Sequence, residues 1–408
     1  MRKSLRTFAK RLKETSMLLA TYYDGVEIYR EEKIVYARFL VPHRVISTCR
    51  AAGGLREDLN YLYNHQSCEP CGHDRLSHRL ASTDPLAYRK AVCSRYGLPD
   101  QECATLGTAA NMRYAAIEYA KSRELEVVAV CTGGVETNAG RAGDPAGFYE
   151  TDGVFEKIDE QERAEHGTIN TMLFISLELT LNAMVRAVMT ATEAKTAALQ
   201  ELAVNSRYSD GLATGTGTDQ IGIASRLQTR TALTSAGKHS VLGELIGKTV
   251  HGAVRTTLGL QNGLTPERQR SAVIHLERFG MTGASFLQKV EAHLSKAEAV
   301  LFRNNFECIE RDPLVVAAVA AIAHIRDKIF WEILPSSCVP EIWATYGAQI
   351  AAAVSGNYSR IDAYRAKLAD GRYACANDGL IDLAAHAVAI GFQEKWSEPG
   401  AEELAHED

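Results

Sequence analysis

The chain of 408 residues lacks a long hydrophobic run, a large excess of one charge and a phosphate-binding loop. Its most apolar stretch, residues 315–325, contains His324 and falls well short of the ~20 residues that a membrane-spanning helix needs. A net charge of −5 and a pI near 6.2 give no electrostatic basis for binding nucleic acid. The glycine-rich segments lack the lysine-serine ending of a P-loop. We therefore expect a soluble protein that neither spans a membrane nor binds nucleic acid.

The cysteines do not form a disulfide pattern. There are nine, an odd number, with scattered spacing and no secretory signal ahead of them. Reduced thiols in the cytoplasm fit this pattern better than a disulfide framework. Cys68, Cys71 and His73 have zinc-like spacing but lack a second cysteine pair nearby, so two hypotheses stay open: a metal site, or a reduced loop that covers the functional site.

Three polar loops rich in glycine, threonine and asparagine each adjoin a strand-like apolar run. They are residues 132–145 (TGGVETNAGRAGDP), 167–170 (GTIN) and 213–219 (ATGTGTD). Glycine lets the backbone approach a ligand closely, and loops at strand ends commonly carry function. The sequence therefore predicts one site that is assembled from the ends of several strands.

The remaining pattern predicts an α+β fold. We expect a hairpin at residues 25–29 and 33–40, a strand at 44–47, a loop at 64–85, and helices at 85–96 and 109–122. The clearest helix covers residues 181–202, with Thr180 as its N-cap. A layered sheet-and-helix catalytic domain should occupy residues 1–260, and a mostly helical extension of unknown role should occupy residues 264–408.

Lys195 falls in the middle of the predicted apolar face of the helix at 181–202. That face comprises Leu181, Met184, Val185, Val188, Ala191, Thr192, Leu199 and Leu202. One interpretation is a snorkelling lysine stem at the edge of the face. The other is a lysine that faces a polar pocket, since a long cation seldom lies in an apolar face without a partner.

Seven segments in order make the chain resemble the adenosylcobinamide amidohydrolase family. They are residues 44–54 (RVISTCRAAGG), 108–112 (TAANM), 138–145 (NAGRAGDP), 167–170 (GTIN), 189–199 (MTATEAKTAAL), 213–219 (ATGTGTD) and 236–243 (AGKHSVLG). The resemblance implies hydrolysis of the amide that joins aminopropanol to the corrin ring of adenosylcobinamide. The product, adenosylcobyric acid, would serve cobalamin salvage or remodelling, and the corrinoid is the expected small-molecule partner.

Amide hydrolysis needs an attacking group, a proton donor for the leaving amine and stabilisation of the oxyanion. The candidates for chemistry are Asp219, His239, Lys195 and Thr168. The candidates for substrate contact are Asn138, Arg141, Asp144, Asn170, Thr216 and Glu193. Structural interpretations remain beside these: Asp219 as a turn former, His239 as a structural residue, and Arg141 with Asp144 as a salt bridge that shapes its loop.

The order of elements also resembles the ornithine acetyltransferase and β-aminopeptidase fold, whose members cleave their own chain. By that analogy Thr171 would become the nucleophile after cleavage behind Asn170. Two alternatives to the hydrolase remain: a corrinoid-binding module without activity, and an amide-cleaving or acyl-transfer enzyme for another substrate. No cofactor is expected apart from the hypothetical metal ion, and a homo-oligomer is compatible with the sequence.

Overall fold

The computed structural model describes residues 16–67, 75–158, 167–369, 373–374 and 376–396. The chain divides into two compact units, Met1–Thr265 and Pro266–Asp408. No helix in these described ranges is long and apolar enough to cross a membrane.

The described strands all lie in the first unit. In chain order they are β1 (Met17–Tyr22), β2 (Val26–Glu31), β3 (Ile34–Phe39), β4 (His43–Ser47), β5 (Gly54–Arg56), β6 (Tyr61–Gln66), β7 (Cys103–Thr108), β8 (Ala116–Ser122), β9 (Leu125–Gly133), β10 (Ala139–Gly140), β11 (Phe148–Thr151), β12 (Val154–Lys157), β13 (Ile169–Ile175), β14 (Glu178–Leu179), β15 (Gly215–Thr216), β16 (Gln220–Arg226) and β17 (Ala232–Leu233). The predicted hairpin and the strand after it are confirmed as β2, β3 and β4.

The described helices are divided between the units. The first unit contains α1 (Arg75–Thr83), α2 (Pro85–Tyr96), α3 (Leu181–Glu201) and α4 (Val241–Asn262). The second contains α5 (Pro266–Gln269), α6 (Ala272–Glu277), α7 (Gly283–Glu291), α8 (Lys296–Glu310), α9 (Pro313–Phe330), α10 (Val339–Ser355), α11 (Ile361–Leu368) and α12 (Asn377–Lys395). Short 3₁₀ turns lie at Asp100–Glu102, Met112–Tyr114, Ser336–Cys338 and Tyr358–Arg360.

Two mixed sheets form the centre of the first unit. Sheet one has the order β1-β2-β3-β6-β7, and only its β6–β7 pair is parallel. Sheet two has the order β5-β4-β16-β13-β9-β8, and only its β13–β16 pair is parallel. Three two-stranded pairs, β10–β15, β11–β12 and β14–β17, extend the loops around them.

The sheets and helices form four layers. One apolar core lies between the two sheets and includes Leu62 and Leu106 of sheet one with Val130 and Phe174 of sheet two. A second core joins the other face of sheet two to helices α3 and α4. A third joins the outer face of sheet one to helix α2. This arrangement, together with the helical second unit, confirms the predicted α+β class.

The face of helix α3 differs from the prediction. The helix runs from Leu181 to Glu201 behind the N-cap Thr180, as expected. Its buried face, however, is built mainly of alanines, and Leu181 and Val185 are exposed. The prediction weighted side-chain size, whereas the close approach of α3 to sheet two and α4 selects small side chains.

Two segments were assigned wrongly from the sequence. The helix predicted at residues 109–122 is instead a 3₁₀ turn at Met112–Tyr114 followed by strand β8. Strand β8 pairs with β9 along its whole length, so sheet pairing overrides the local helical preference. The loop predicted at 64–85 is partly regular, since β6 extends to Gln66 and α1 covers Arg75–Thr83.

The second unit is helical, as predicted for the extension. Its core is formed around α10 and α12, and α12 is buried on most of its circumference, from Leu380 to Phe392. A helix that is apolar on all sides must be surrounded by other elements. This explains why the sequence of α12 shows little amphipathic contrast.

Candidate active site

The three polar loops meet at one edge of the layered unit. The backbone N–H of Gly134 donates to the Thr168 carbonyl at 3.0 Å, and the Thr168 hydroxyl donates to the Thr218 carbonyl at 2.7 Å. The Asn138 amide donates to the Gly167 carbonyl at 3.0 Å. At the same edge β13 and β16 begin side by side, while β4 and β9 end. The prediction that distant loops converge is confirmed.

Asp219 forms the centre of this convergence. Its Oδ1 accepts hydrogen bonds from the Ile169 N–H at 2.9 Å and the Thr216 hydroxyl at 2.6 Å. Its Oδ2 accepts from the Thr216 N–H at 3.1 Å and is paired with the Lys195 ammonium. Four donors therefore occupy the carboxylate. This arrangement supports an orienting role for Asp219 over proton abstraction.

Lys195 faces a cavity of about 220 Å³, which we call the lysine cavity. Its lining residues are Thr48, Ile169, Thr171, Val188, Ala191, Thr192, Lys195, Asp219, Gln220 and Ile221. The Lys195 and Asp219 side chains are only 13% and 16% exposed. Lys195 is therefore mostly buried with a charged partner instead of snorkelling at the edge of the face, but the cavity that it faces is lined mainly by apolar groups. A space of this size can hold a side arm of a ligand, but not a macrocycle.

Gly215 is required beside the Lys195–Asp219 pair. A Cβ atom at this position would overlap the Asp219 carboxylate and lie 2.8 Å from the Lys195 ammonium. A steric requirement thus explains the glycine at this position of the glycine-threonine repeat. Its first glycine makes space for the ion pair, and the following Thr216 supplies two of the hydrogen bonds to Asp219.

Thr171 also borders the lysine cavity. Its hydroxyl lies 3.5 Å from the Cys131 thiol, and burial raises the pKa of Cys131 to about 12 despite the opposing hydrogen bond from Thr171. Cys131 therefore remains a neutral thiol near neutral pH. The Asn170–Thr171 bond lies inside β13, between β9 and β16.

A second cavity of about 160 Å³, the threonine cleft, opens next to the lysine cavity and shares Gln220 with it. Its lining residues are Cys49, Arg50, Ala51, Ser67, Ala81, Ser82, Pro85, Tyr88, Thr105, Gly107, Thr108, Ala109, Gly167, Thr168, Thr218 and Gln220. Within this described lining, Arg50 is the only charged residue. Thr168 is buried, and its hydroxyl is already engaged by the Thr218 carbonyl.

Asn170 connects the two sheets and lines neither cavity. Its amide donates to Asn64 Oδ1 at 2.8 Å and to the Gly107 carbonyl at 2.9 Å. Asn64 in turn donates to the Thr132 hydroxyl at 2.6 Å. Asn170 is fully buried, and these bonds form a polar bridge beneath the site, although its Oδ1 has no hydrogen-bond partner among the described residues. This placement favours a structural role for Asn170.

Asn138 is held on both sides of its amide. It donates to the Gly167 carbonyl, and its Oδ1 accepts the Tyr208 hydroxyl at 2.7 Å. Its position ties the first loop to the loop that precedes Ile169. One amide hydrogen and one lone pair of Oδ1 are left for a ligand.

Asp144 shapes the first loop through hydrogen bonds. The carboxylate accepts from the Arg141 N–H and the Ser206 hydroxyl, each at 2.6 Å. Partial burial opposes ionisation, but hydrogen bonds from Ser206, Ser209 and Arg141 outweigh it and lower the pKa of Asp144. The Arg141 guanidinium donates to the Leu212 carbonyl at 3.1 Å.

His239 and Glu193 lie outside both cavities as the structure describes them. His239 is exposed in the turn before α4, and Glu193 is paired with Lys238 at 2.7 Å on the surface. The sequence made His239 a candidate because histidine is the usual general acid near neutral pH and His239 precedes an apolar helix in one of the matched segments. In the fold, that segment packs on α3 through the bond from the Thr190 hydroxyl to the Ala236 carbonyl, 2.7 Å.

The hypothetical metal ligands Cys68, Cys71 and His73 lie outside the described residues. Among the residues that are described, no group of three or more histidine, cysteine, aspartate or glutamate side chains could hold a metal ion.

Sequence reasoning missed several residues of the site. Gln220 lines both cavities and accepts the Gly107 N–H at 3.1 Å, and Arg50 is the cation of the threonine cleft. Gln220 directly follows Asp219, and Arg50 belongs to the segment 44–54, so position in the motifs was the available signal. Asn64 and Tyr208 carried no such signal, because they come from segments outside the motifs.

The adenosylcobinamide amidohydrolase family model matches residues 19–266, more than half of the chain. The chain belongs to this family. It is also 34% identical over 236 residues to an uncharacterized protein of Methanocaldococcus jannaschii, a region that covers 57% of this chain and 87% of that protein.

The adenosylcobinamide amidohydrolase match coincides with the four-layered unit. It contains the Lys195–Asp219 pair, both cavities and all seven segments that carry the resemblance. Residues 267–408, which include nearly all of the second unit, lie beyond the matched range.

Proposed function

We propose that the chain hydrolyses the amide that links aminopropanol to the corrin ring of adenosylcobinamide. The observation that carries the proposal is the Lys195–Asp219 pair, held at the meeting point of the family's motif segments and facing a small cavity. Water adds to the amide carbonyl carbon, the C–N bond breaks, and the products are adenosylcobyric acid and aminopropanol. The acid product would return to cobalamin assembly by salvage or remodelling.

Lys195 is proposed to stabilise the negative charge that develops on the carbonyl oxygen. A fixed cation in a site that excludes most water stabilises an oxyanion far better than it would in bulk solvent. Asp219 is the positioning residue, because its four hydrogen-bond donors fix the carboxylate and thereby the Lys195 ammonium. Restricting the ammonium in this way reduces the reorganisation that the reaction requires.

The threonine cleft provides neutral hydrogen-bonding groups near the same strand ends. Its hydroxyls and the Gln220 side chain suit a substrate whose periphery carries neutral amides and whose leaving group carries a hydroxyl. In this proposal the hydrogen bonds of Thr168, Asn138 and Thr216 hold the three polar loops in place around the site.

The proposal is tested by incubating the purified chain with adenosylcobinamide and separating the products by chromatography. Release of aminopropanol together with an equal amount of the corrinoid acid supports hydrolysis. Tight binding without turnover indicates a corrinoid-binding module, and neither binding nor turnover indicates a different substrate. The intact mass of the same preparation tests self-cleavage, because a break between Asn170 and Thr171 would yield two fragments.

A further inference from the structure

Helix α3 carries a row of exposed apolar side chains that leads toward Lys195. Leu181, Val185 and Met189 follow one another at four-residue intervals and are 55%, 56% and 47% exposed. Residues at this spacing lie above one another on one helix face. Single exposed apolar residues are ordinary, but a contiguous group on one face indicates a binding surface.

The neighbouring face of sheet two is also apolar, and within the described part of the chain no helix makes extensive contact with β4 or β5. Ile46 of β4 pairs directly with Leu55 of the edge strand β5, so both side chains lie on the same face. That face is the helix side, because Ile46 packs against the core that joins sheet two to α3 and α4. Helix α4 covers β8 and β9 at the other end of the sheet. Leu55 is consequently 45% exposed.

Helix α3 and strand β4 run alongside each other, with a polar group at each end. At one end the Arg44 guanidinium donates to the Leu179 carbonyl at 2.7 Å, just before α3 begins. At the other end Thr48 and Thr192 line the same cavity as Lys195. The strand from residue 44 to residue 48 covers about 13 Å. We call the apolar surface between these ends the apolar trough; it is formed by the exposed Leu55, Val185 and Met189 and the half-buried Ile46 and Val188.

The apolar trough is continuous with the lysine cavity. Val188 belongs to both, and Ile221 extends the same apolar sheet face into the cavity wall. A ligand with a large apolar body and a reactive arm would therefore place its body in the trough and its arm beside Lys195. The cavity of about 220 Å³ has space only for the arm.

We propose that the apolar trough binds one face of the corrin macrocycle and directs the aminopropanol arm into the lysine cavity. This inference rests on the proposed function, which supplies the corrinoid as the ligand. It makes Val185 and Met189 specificity-determining residues that contact the ring and take no part in the chemistry. The ion-paired Arg44, which contacts Glu57 at 2.6 Å, limits the trough at the end away from Lys195.

The test is equilibrium dialysis of cobinamide against the full chain and its Val185→Asp and Met189→Asp variants. Each variant places a charge in the trough, and we expect at least ten-fold weaker binding of cobinamide. Val300→Asp is the matched control, because Val300 is an equally exposed valine (57%) inside helix α8 of the second unit. The control should bind cobinamide as the unmodified chain does.

Two results would overturn the inference. One is unchanged cobinamide affinity in both trough variants. The other is a dimer of the unmodified chain that the trough variants dissociate without loss of cobinamide binding, since the trough would then be a subunit interface. Failure of the proposed function can be distinguished from failure of this inference. In that case the unmodified chain still binds cobinamide but releases no aminopropanol from adenosylcobinamide.

Discussion

The Lys195 ammonium is paired with the Asp219 carboxylate, and every other hydrogen bond to that carboxylate comes from two loops that the chain brings together at the start of β13 and β16. A lysine on one helix is thereby fixed by residues from loops on either side of it in the sequence. The pair links the fold directly to the proposed chemistry, because anything that displaces Asp219 also displaces the cation.

Replacing Asp219 by asparagine should lower kcat by about 10²-fold or more, because loss of the carboxylate charge frees the Lys195 ammonium. The Asp219→Asn and Lys195→Met changes should not add in the double variant, since the two residues act as one unit. Steady-state kinetics with adenosylcobinamide measure this. A double variant whose loss equals the product of the two single losses would argue for independent roles.

Gly215→Ala should inactivate the chain while leaving it folded. The added Cβ would contact the Asp219 carboxylate and the Lys195 ammonium, so the pair must separate. Gly217→Ala is the matched control in the same loop, because the nearest atom to its Cβ, Asn138 Oδ1, would lie 3.4 Å away. Turnover and circular dichroism of both variants test the point. Equal activity in the two variants would show that the space at Gly215 does not matter.

Much of this site could be predicted from the sequence because its loops have a distinctive composition. Glycine-threonine composition beside apolar runs indicated the convergence of residues 132–145, 167–170 and 213–219, and helical spacing indicated that Lys195 needs a partner. The identity of that partner depends on which strands lie side by side. The parallel pairing of β13 and β16 is a long-range contact that local pattern does not encode.

The wrong predictions for residues 116–122 and for the buried face of α3 also come from long-range contacts. Residues 116–122 form a strand because β9 offers a partner, and the alanine-rich face of α3 is buried because its neighbours lie close. For both segments tertiary packing decided between alternatives that local sequence left nearly equal. His239, the candidate general acid, stays a prediction, and the structure leaves it exposed outside both described cavities.

Asn170→Ala should destabilise the first unit by about 1–3 kcal/mol, because it leaves buried acceptors on Asn64 and Gly107 without a donor. Hydrogen exchange of the β13 amides measures this loss. Asn182→Ala is the control, since Asn182 makes an exposed bond to the Thr234 carbonyl at 2.9 Å. If the β13 amides of the Asn170→Ala variant exchange as slowly as those of the control, the polar bridge does not stabilise the first unit.

His43 should make the first unit less stable in mild acid. Burial lowers the pKa of His43 to about 4, although its bond to the Val41 carbonyl opposes this. The unfolded chain, with an ordinary histidine pKa near 6.5, then binds the proton more readily. The contribution of neutral His43 to the free energy of unfolding is complete above pH ~6.5. It declines as the pH falls toward 4, by about 2 kcal/mol between pH 7 and 5.

The His43→Phe variant isolates this effect. It should lose less stability than the unmodified chain between pH 7 and 5, as measured by hydrogen exchange of the first unit at both pH values. Tryptophan emission serves as an internal reference for the stability of the second unit, because Trp331, Trp343 and Trp396 all lie in that unit. Identical losses in the variant and the unmodified chain would assign the acid sensitivity to other groups.

The most direct measurement is the amount of aminopropanol released from adenosylcobinamide by the unmodified chain and by its Lys195→Met variant, at equal concentrations of folded protein. The unmodified chain should release aminopropanol and the corrinoid acid in equal amounts, and the variant should be slower by about 10²-fold or more. No aminopropanol from the unmodified chain, or the same rate from both proteins, would contradict the account.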